Sequence, residues 1–193
     1  MQNRMSENGL RNEGLNIPED WSYNPSAWSQ RLWIVAIAVL GFLIALYLAL
    51  YQWRVIGDVW EPFFGDGSRV ILDSRLSRIL PIPDAALGAI GYLADAATGL
   101  IGGRGRWRTM PWIVIVFGLA VGPLGLVSIG LVIAQPTFFG TWCTLCLVSA
   151  AVSIIMIYPA MDEVVASLKM LRDEAQAGRS VWKTFWNGAG EAR

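Results

Sequence analysis

The hydrophobic positions of the chain are gathered into long uncharged runs. The first run, residues 32–51, holds 20 residues without a charged side chain. As an α-helix it would be about 30 Å long, which is the thickness of the hydrocarbon core of a bilayer. The run therefore predicts a membrane span.

A second uncharged stretch covers residues 109–161 and is too long for one helix. Gln135, Pro136 and Gly140 interrupt it, and residues of these types favour the end of a helix or a turn. The stretch therefore predicts two more spans, near residues 112–134 and 142–158.

Residues 85–101 predict a fourth span, although they include Asp95 and are rich in Ala and Gly. Small residues at helical spacing allow membrane helices to pack closely. A buried helix of a soluble domain is the alternative interpretation. The distribution of basic residues favours the span, because an even number of spans puts most of those residues on one side.

With four spans, the N-terminal segment, the loop between the second and third spans and the C-terminal tail share one side. These segments carry 11 of the 15 basic residues: Arg4, Arg11, Arg31, Arg104, Arg106, Arg108, Lys169, Arg172, Arg179, Lys183 and Arg193. The other side receives Arg54, Arg69, Arg75 and Arg78. The positive-inside rule then predicts cytoplasmic flanks at 1–31 and 161–193, the latter partly helical, around a membrane domain at 32–160.

The first extracytoplasmic loop, residues 52–83, predicts a short helix lying in the membrane interface. Leu72, Leu76, Ile79 and Leu80 would share one helical face and Arg69, Asp73 and Ser77 another. Nearby aromatic rings at Trp60, Phe63 and Phe64 favour the level of the lipid headgroups. A solvated linker is the alternative interpretation.

Composition supports a membrane protein and excludes several function classes. Apolar residues make up 54% of the chain and charged residues 16%, and the mean hydropathy is +0.46. Basic and acidic residues balance, which does not favour a nucleic-acid partner. With no histidine and two cysteines, one chain cannot supply the four Cys or His ligands of a structural zinc site, nor a Ser-His-Asp or Cys-His nucleophile.

Both cysteines, Cys143 and Cys146, lie at the predicted extracytoplasmic start of the last span. Residues at i and i+3 share a helical face, so a disulfide between them requires little movement. The backbone N–H groups at a helix start favour the thiolate form, and the outer side of a membrane is oxidising. The pair therefore predicts redox exchange; two inert buried thiols are the alternative interpretation.

A redox dithiol at a membrane surface needs an electron acceptor or donor. The chain has no flavin or nicotinamide fingerprint and no haem ligation set. A lipid-soluble quinone of the ubiquinone or menaquinone type, entering between helices, fits the predicted location best. No metal is expected.

A set of short motifs in order along the chain resembles the vitamin K epoxide reductase family in its bacterial form. The motifs are Gly67–Ser74 (GSRVILDS), Ser77, Ile82-Pro83, Leu87-Gly88, Gly91-Tyr92 and Cys143-x-x-Cys146. The likeness covers about two thirds of the chain. It implies a four-helix bundle around a quinone, with the C-x-x-C passing electrons to it.

The resemblance also implies roles for individual residues. Cys146 would be the thiol nearest the quinone, and Cys143 would exchange disulfides with a separate thioredoxin-like partner. Ser74 would help to order the site. Asp84 and Tyr92 are candidate quinone contacts, although an N-cap for the second span is the preferred interpretation of Asp84.

The chain departs from the family pattern in the outer loop. Trp60 and Ser68 stand where members usually carry a second cysteine pair, and Ala150 replaces a tyrosine of animal members. Either a partner thiol attacks the Cys143–Cys146 disulfide directly, or the chain has kept the fold and lost catalysis.

Asp95 is an ionisable residue within a predicted span, which marks it as a functional candidate. One interpretation is a proton relay to a reduced quinone. The other is a pairing with Arg104 or Arg106 at the cytoplasmic interface.

The sequence thus predicts an all-α membrane protein of four spans in a bacterial inner membrane, with both termini cytoplasmic. Its predicted activity is oxidation of partner thiols and reduction of a quinone. A non-enzymatic membrane assembly or binding protein is the rival hypothesis.

Overall fold

Four long helices carry the fold: α1 (Trp28–Gln52), α3 (Asp84–Leu100), α5 (Pro111–Ala134) and α6 (Thr144–Gln176). The computed structural model describes residues 17–18, 21–78 and 81–189, and within those ranges it contains no β-strand. The connecting helices are α2 (Gly67–Leu72), a 3-10 turn (Leu76–Arg78), α4 (Arg106–Thr109), a π-helix (Gln135–Phe139) and α7 (Val181–Asn187). Arg4, Arg11 and Arg193 of the predicted flanks, and Ile79 and Leu80 of the loop, lie outside the described residues.

Three of the predicted spans are present as long apolar helices. Trp28–Gln52, Pro111–Phe139 and Thr144–Gln176 are each long and apolar enough to cross a membrane. The segment predicted as the fourth span is the helix α3, which has 17 residues and a length of about 26 Å. The chain is therefore an all-helical membrane protein with at least three candidate spans.

The four long helices run antiparallel to their neighbours. Gln52 at the end of α1 hydrogen-bonds to Asp84 at the start of α3, and Arg31 near the start of α1 reaches Gly99 at the end of α3. Gly118 of α5 lies against Val164 of α6, and Gly125 of α5 lies against Ile157 of α6. The later residue of α5 thus meets the earlier residue of α6. Consecutive long helices therefore alternate in direction.

Small residues form much of the contact between helices, while large apolar side chains point outward. Ala38 and Ala45 of α1 are buried with Ala89 of α3, whereas Trp33 and Leu43 of α1 are exposed. Lipid is as apolar as leucine, so a membrane bundle gains more from the close approach of small residues than from hiding large ones. This distribution is typical of a protein surrounded by lipid.

Two helix boundaries differ from the sequence prediction. The third span continues past Ala134 as a π-helix and ends at Gly140, which has the left-handed φ of 64°. The last helix does not stop near Tyr158 but passes through Pro159 to Gln176. Its second half stays helical because Ala166, Met170 and Leu171 pack against Trp107.

The loop segment expected to form one interfacial helix forms two short ones, α2 and the 3-10 turn, separated by residues 73–75. Ser77, expected on the polar face, is buried, and Leu76, expected on the apolar face, is exposed. Ser77 turns inward because its hydroxyl donates a hydrogen bond to Asp84 (2.5 Å). That polar contact overrides the helical periodicity.

We call the two ends of the bundle the arginine end and the cysteine end. At the arginine end, Arg31 donates to the carbonyl oxygens of Gly99, in the last turn of α3, and of Ile101 and Gly102, just after it, at 2.6–2.9 Å. Arg106 also donates to Thr98 O (2.6 Å). These cations satisfy carbonyls that a helix C-terminus leaves unpaired. The cysteine end comprises loop 53–78, the start of α3, the π-helix and the start of α6.

Candidate functional site

The two cysteines form a disulfide at the N-terminus of α6. Cys143 is the N-cap residue and Cys146 lies in the first turn, with their Cα atoms 5.2 Å apart. The Cys146 N–H also points at Cys143 Sγ (3.1 Å). The spacing and position predicted from the sequence therefore bring both sulfurs to one helix mouth.

The two sulfurs differ in their surroundings. Cys143 is fully buried, and its N–H donates to Gln135 Oε1 (2.9 Å) of the π-helix. Cys146 is half-buried and faces an internal cavity. Sequence reasoning used Gln135 only as a helix interruption, although a side-chain amide inside an uncharged apolar stretch is itself a signal that it has a buried partner.

The cavity lies between the four long helices and has a volume of about 580 Å³. Its walls are mainly apolar, with leucine and valine side chains from α1, α3 and α5. The polar or ionisable residues that line it are Asp84, Tyr92, Asp95, Ser128, Gln135, Cys146, Ser149 and Ser153. A mostly apolar cavity of this size with a few polar groups is typical of a site for a small organic ligand.

Asp84 lies at the cysteine end of the cavity, at the first position of α3. The N-cap is Pro83, so the interpretation of Asp84 as the cap was wrong. Its Oδ1 accepts hydrogen bonds from Gln52 Nε2 (2.7 Å), Ser77 Oγ (2.5 Å) and the N–H of Ala85 (2.8 Å). This carboxylate therefore joins α1, the 3-10 turn and α3 beside the cavity.

Tyr92 crosses from α3 to α6 in the middle of the cavity wall. Its hydroxyl donates to Ser149 O (2.6 Å) and also lies 2.6 Å from Ser153 Oγ. Gly41 of α1 gives space to the ring, since a Cβ there would lie 2.6 Å from it. The ring is thus held by packing on one side and hydrogen bonds on the other.

Asp95 lies farther along the cavity and is only 2% exposed. Its Oδ1 has no hydrogen-bond partner among the described residues. Arg106, one of the partners expected for it, is paired with Glu163 instead. Eleven helical positions separate Asp84 from Asp95, which is about 16 Å along the helix, and both residues line the same cavity.

Ser74 does not line the cavity. Its Oγ accepts a hydrogen bond from the N–H of Ser77 (3.3 Å), which places it at the start of the 3-10 turn. Ser77 in turn contacts Asp84 and Gln52. Ser74 therefore contacts the site only indirectly, through the 3-10 turn that carries Ser77.

Glu61 is a residue that sequence reasoning missed. Its carboxylate accepts hydrogen bonds from Ser68 Oγ (2.5 Å), from the N–H of Thr144 (2.8 Å) and from the hydroxyl of Thr144. Burial acts to raise the pKa of Glu61, but these hydrogen bonds to the charged form outweigh it and lower the pKa from 4.5 to about 2. Glu61 is one of several acidic residues in this loop, and the sequence carries no signal that singles it out for this contact.

The comparisons with known proteins agree with this arrangement. The model of the vitamin K epoxide reductase family matches residues 32–161, about two thirds of the chain, a range that holds the cavity-lining segments and both cysteines. No curated protein matches the chain. The family match confirms the resemblance carried by the motifs between Gly67 and Cys146. The chain therefore belongs to the vitamin K epoxide reductase family.

Proposed function

We propose that the protein is a multi-pass membrane oxidoreductase that takes electrons from the thiols of a partner protein and passes them to a quinone. The observation that carries the proposal is the position of Cys146, one sulfur of a disulfide, on the wall of an apolar cavity inside the bundle. Membership of the vitamin K epoxide reductase family supports the same reaction class.

We infer that α3 is a fourth membrane span. It runs along α1, and its Ile90, Leu93 and Leu100 side chains are exposed on the outside of the bundle, where lipid would cover them. A 17-residue helix can span when flanking residues or local thinning of the bilayer adjust to it. An even number of spans leaves both termini on the arginine end.

The distribution of basic residues then supports an orientation. Most of them lie toward the arginine end, which the positive-inside rule assigns to the cytoplasm. The cysteine end would face the periplasm of a bacterial inner membrane, where disulfide exchange is favoured. The exposed rings of Trp60 and Phe63, with the half-exposed Phe64, fit the headgroup level on that side.

The residues of the cavity fit a quinone. Leucine and valine walls suit an apolar ring, and Ser149 and Ser153 place a hydrogen-bonded group of hydroxyls around Tyr92 on the cavity wall. Asp84 and Tyr92 lie on the same wall, so they are candidates for contact through their polar atoms. A quinone would supply a two-electron, two-proton acceptor.

The cysteines carry out the exchange in two balanced steps. A partner thiolate attacks Cys143 Sγ, the Cys143–Cys146 bond breaks, and its electron pair leaves on Cys146, which takes up a proton. The second partner thiol then releases Cys143, so the partner becomes a disulfide and this chain a dithiol. The dithiol closes again as two electrons and two protons pass to the quinone, which becomes a hydroquinone.

The proton balance of this reaction leaves no required catalytic step for Asp95. The two thiols already supply both protons, so the reaction does not require a further proton source. The unpartnered Oδ1 of Asp95 can accept a hydrogen bond from a hydroxyl or hold a proton at the far end of the cavity. Ser74 acts on the site only through the turn that carries Ser77.

The test is quinone reduction by purified protein in detergent, supplied with a reduced thioredoxin-like protein. Wild-type protein should bleach the quinone absorbance, and Cys146→Ser should reduce the rate to background. Given instead the partner in its disulfide form, the same variant should form a mixed disulfide, because the Cys143 thiolate attacks the partner disulfide and one partner sulfur leaves as a thiol. The Cys146 sulfur, which would release Cys143 by closing the intramolecular disulfide, is absent. Equal activity of Cys146→Ser and wild type would refute the mechanism.

A second function is favoured by a specific observation: Trp60 and Ser68 occupy the usual positions of a loop cysteine pair. A chain that has lost this relay could serve as a non-enzymatic assembly or binding protein with the same bundle. Such a protein would reduce no quinone and trap no partner on Cys143. The assay above therefore separates the two functions.

A further inference from the structure

Cys143 is buried at the place where the loop that joins α1 to α2, and the start of α2, pack against its two chain neighbours, Trp142 and Thr144. The sulfur that would meet a partner thiol is fully buried, whereas Cys146 faces the cavity. The start of α2 approaches closely: a Cβ at Gly67, its first residue, would lie 2.1 Å from the carbonyl oxygen of Trp142, so only glycine fits there. A protein thiol cannot reach Cys143 unless this covering moves.

Glu61 holds the loop against the redox helix. Its Oε2 accepts from Ser68 Oγ (2.5 Å) and from the N–H of Thr144 (2.8 Å), while its Oε1 accepts from the Thr144 hydroxyl and from the N–H groups of Phe63 and Phe64 (3.2 and 3.3 Å). One carboxylate thus joins the loop, α2 and α6. We call its hydrogen bonds to Ser68 and Thr144 the Glu61 clasp.

The Glu61 clasp contains no cation. Among the side chains that the structure describes, none forms an ion pair with Glu61, and the neighbouring Arg69 pairs with Asp58 and Asp66. The negative charge is stabilised by hydrogen-bond donors alone, including the N–H of Thr144 at the first turn of α6. Such a closure can exchange its partners with water more easily than a buried ion pair can.

The position of the clasp couples it to the redox state of Cys143. Thr144, the residue after Cys143, supplies two of the donors, and donors at a helix N-terminus also stabilise a thiolate. With the disulfide intact there is one negative charge at this helix start. Reduction to a Cys143 thiolate adds a second one close by, and like charges repel.

We propose that Glu61 is a positioning residue that keeps Cys143 covered while the disulfide is intact, and that opening of the Glu61 clasp is the step that admits a partner thiol. This inference deepens the proposed thiol exchange and rests on it. It also assigns a gating function to a loop that has no cysteine pair. Glu61 itself touches no reacting atom and acts through Thr144 and Ser68.

The first experiment measures the rate at which a water-soluble phosphine reduces the Cys143–Cys146 disulfide of the purified full-length protein. Glu61→Ala should be reduced about tenfold faster or more, because it loses several hydrogen bonds to a charged group. Asp66→Ala is the matched control, since Asp66 lies in the same loop but makes only an exposed ion pair with Arg69. It should reduce at the wild-type rate.

The second experiment separates charge from structure. Glu61→Gln keeps an acceptor but removes the negative charge beside Cys143. The thiolate of reduced Cys143 should then form at lower pH, so the pH profile of its alkylation rate should shift to lower pH in this variant. The other carboxylates at this end are engaged: Asp58 and Asp66 with Arg69, Asp73 with Arg54, and Asp84 with Gln52 and Ser77. A purely structural role of Glu61 would leave the alkylation profile of Glu61→Gln unchanged.

Either of two results overturns the proposal: equal reduction rates for Glu61→Ala and wild type, or an equal acceleration in Asp66→Ala. Phosphine reduction and alkylation require neither quinone nor partner protein. A failure of the proposed quinone chemistry in the Cys146→Ser assay is therefore distinguishable from a failure of the Glu61 clasp.

Discussion

Each end of the bundle holds a hydrogen-bonded carboxylate, buried at the arginine end and half-buried at the cysteine end, and the two ends balance its charge in different ways. At the arginine end, Glu163 is 1% exposed and accepts hydrogen bonds from the Arg106 guanidinium and from Ser26. At the cysteine end, Glu61 is balanced by hydroxyl and N–H donors without an ion pair among the described side chains. The charge of Glu163 is thus compensated by a cation, whereas the charge of Glu61 is stabilised by neutral donors.

The difference indicates which end is fixed and which can move. A buried ion pair is costly to separate, because each partner would remain as an uncompensated charge. Hydrogen bonds to a half-buried carboxylate can be replaced by water at a smaller cost. The comparison therefore predicts that the arginine end holds the helices together, while the cysteine end can open beside the Cys143–Cys146 disulfide.

The largest effect is expected at Arg106. Arg106→Ala leaves Glu163 buried without its cation and also removes the donor to Thr98 O, so it should destabilise the protein by about 3–5 kcal/mol. Thermal unfolding in detergent, followed by tryptophan fluorescence, measures the loss. Arg104→Ala is the matched control, because Arg104 is exposed.

Replacing both members of the pair tests the reason for that loss. Arg106→Met combined with Glu163→Leu should recover much of the stability, since no buried charge is then left uncompensated. If Arg106→Ala unfolds at the same temperature as Arg104→Ala, the arginine end does not hold the bundle together and the comparison of the two ends fails.

A smaller effect is expected at Gln135 in the cysteine end. Gln135→Leu removes the acceptor of the Cys143 N–H and leaves a buried donor unpaired, which should cost about 1–3 kcal/mol. The same unfolding assay measures this cost.

Thr137→Val provides the control within the same π-helix. Thr137 is exposed and its hydroxyl donates only to Ile133 O (2.6 Å), one turn earlier. It should unfold close to the wild-type temperature. A cost of Thr137→Val as large as that of Gln135→Leu would mean that the π-helix, rather than the contact with Cys143, sets the stability of this end.

The hydrophobic pattern was sufficient to predict the long helices and the position of the cysteines. Uncharged runs give the spans directly, because the bilayer imposes a length. Arg31 was recognised only as an indicator of orientation, and Arg106 also as a candidate partner of Asp95, although both cap the end of α3. A charge count cannot distinguish a solvated arginine from one buried against carbonyl oxygens.

The polar contacts of the site could not be predicted from the sequence. Glu61 meets Thr144 across 83 positions, and Gln52 meets Asp84 across 32. Periodicity reports which face of one helix is apolar, but not which distant residue a polar group meets. The single interfacial helix was mispredicted for the same reason, since Ser77 turns inward to Asp84.

The smallest effect concerns pH and acts only at the cysteine end. Glu61 has a pKa lowered to about 2 when the clasp is closed and an ordinary value of 4.5 when it is free, so the closed state loses stability as the pH falls through this interval. Phosphine reduction of the disulfide, compared with the same reaction of Glu61→Gln, should be unaffected between pH 7 and 5. At pH 3.5 the reduction rate of the wild type, relative to that of Glu61→Gln, should be about tenfold higher than at pH 7.

The control for this prediction is Asp58→Asn. Arg69 lowers the pKa of Asp58 in the same loop through a hydrogen bond, and Asp58→Asn should keep the acid response of the wild type. A response that persists in Glu61→Gln but disappears in Asp58→Asn would assign the closure to the exposed ion pair instead, and the cysteine end would then depend on a cation as the arginine end does.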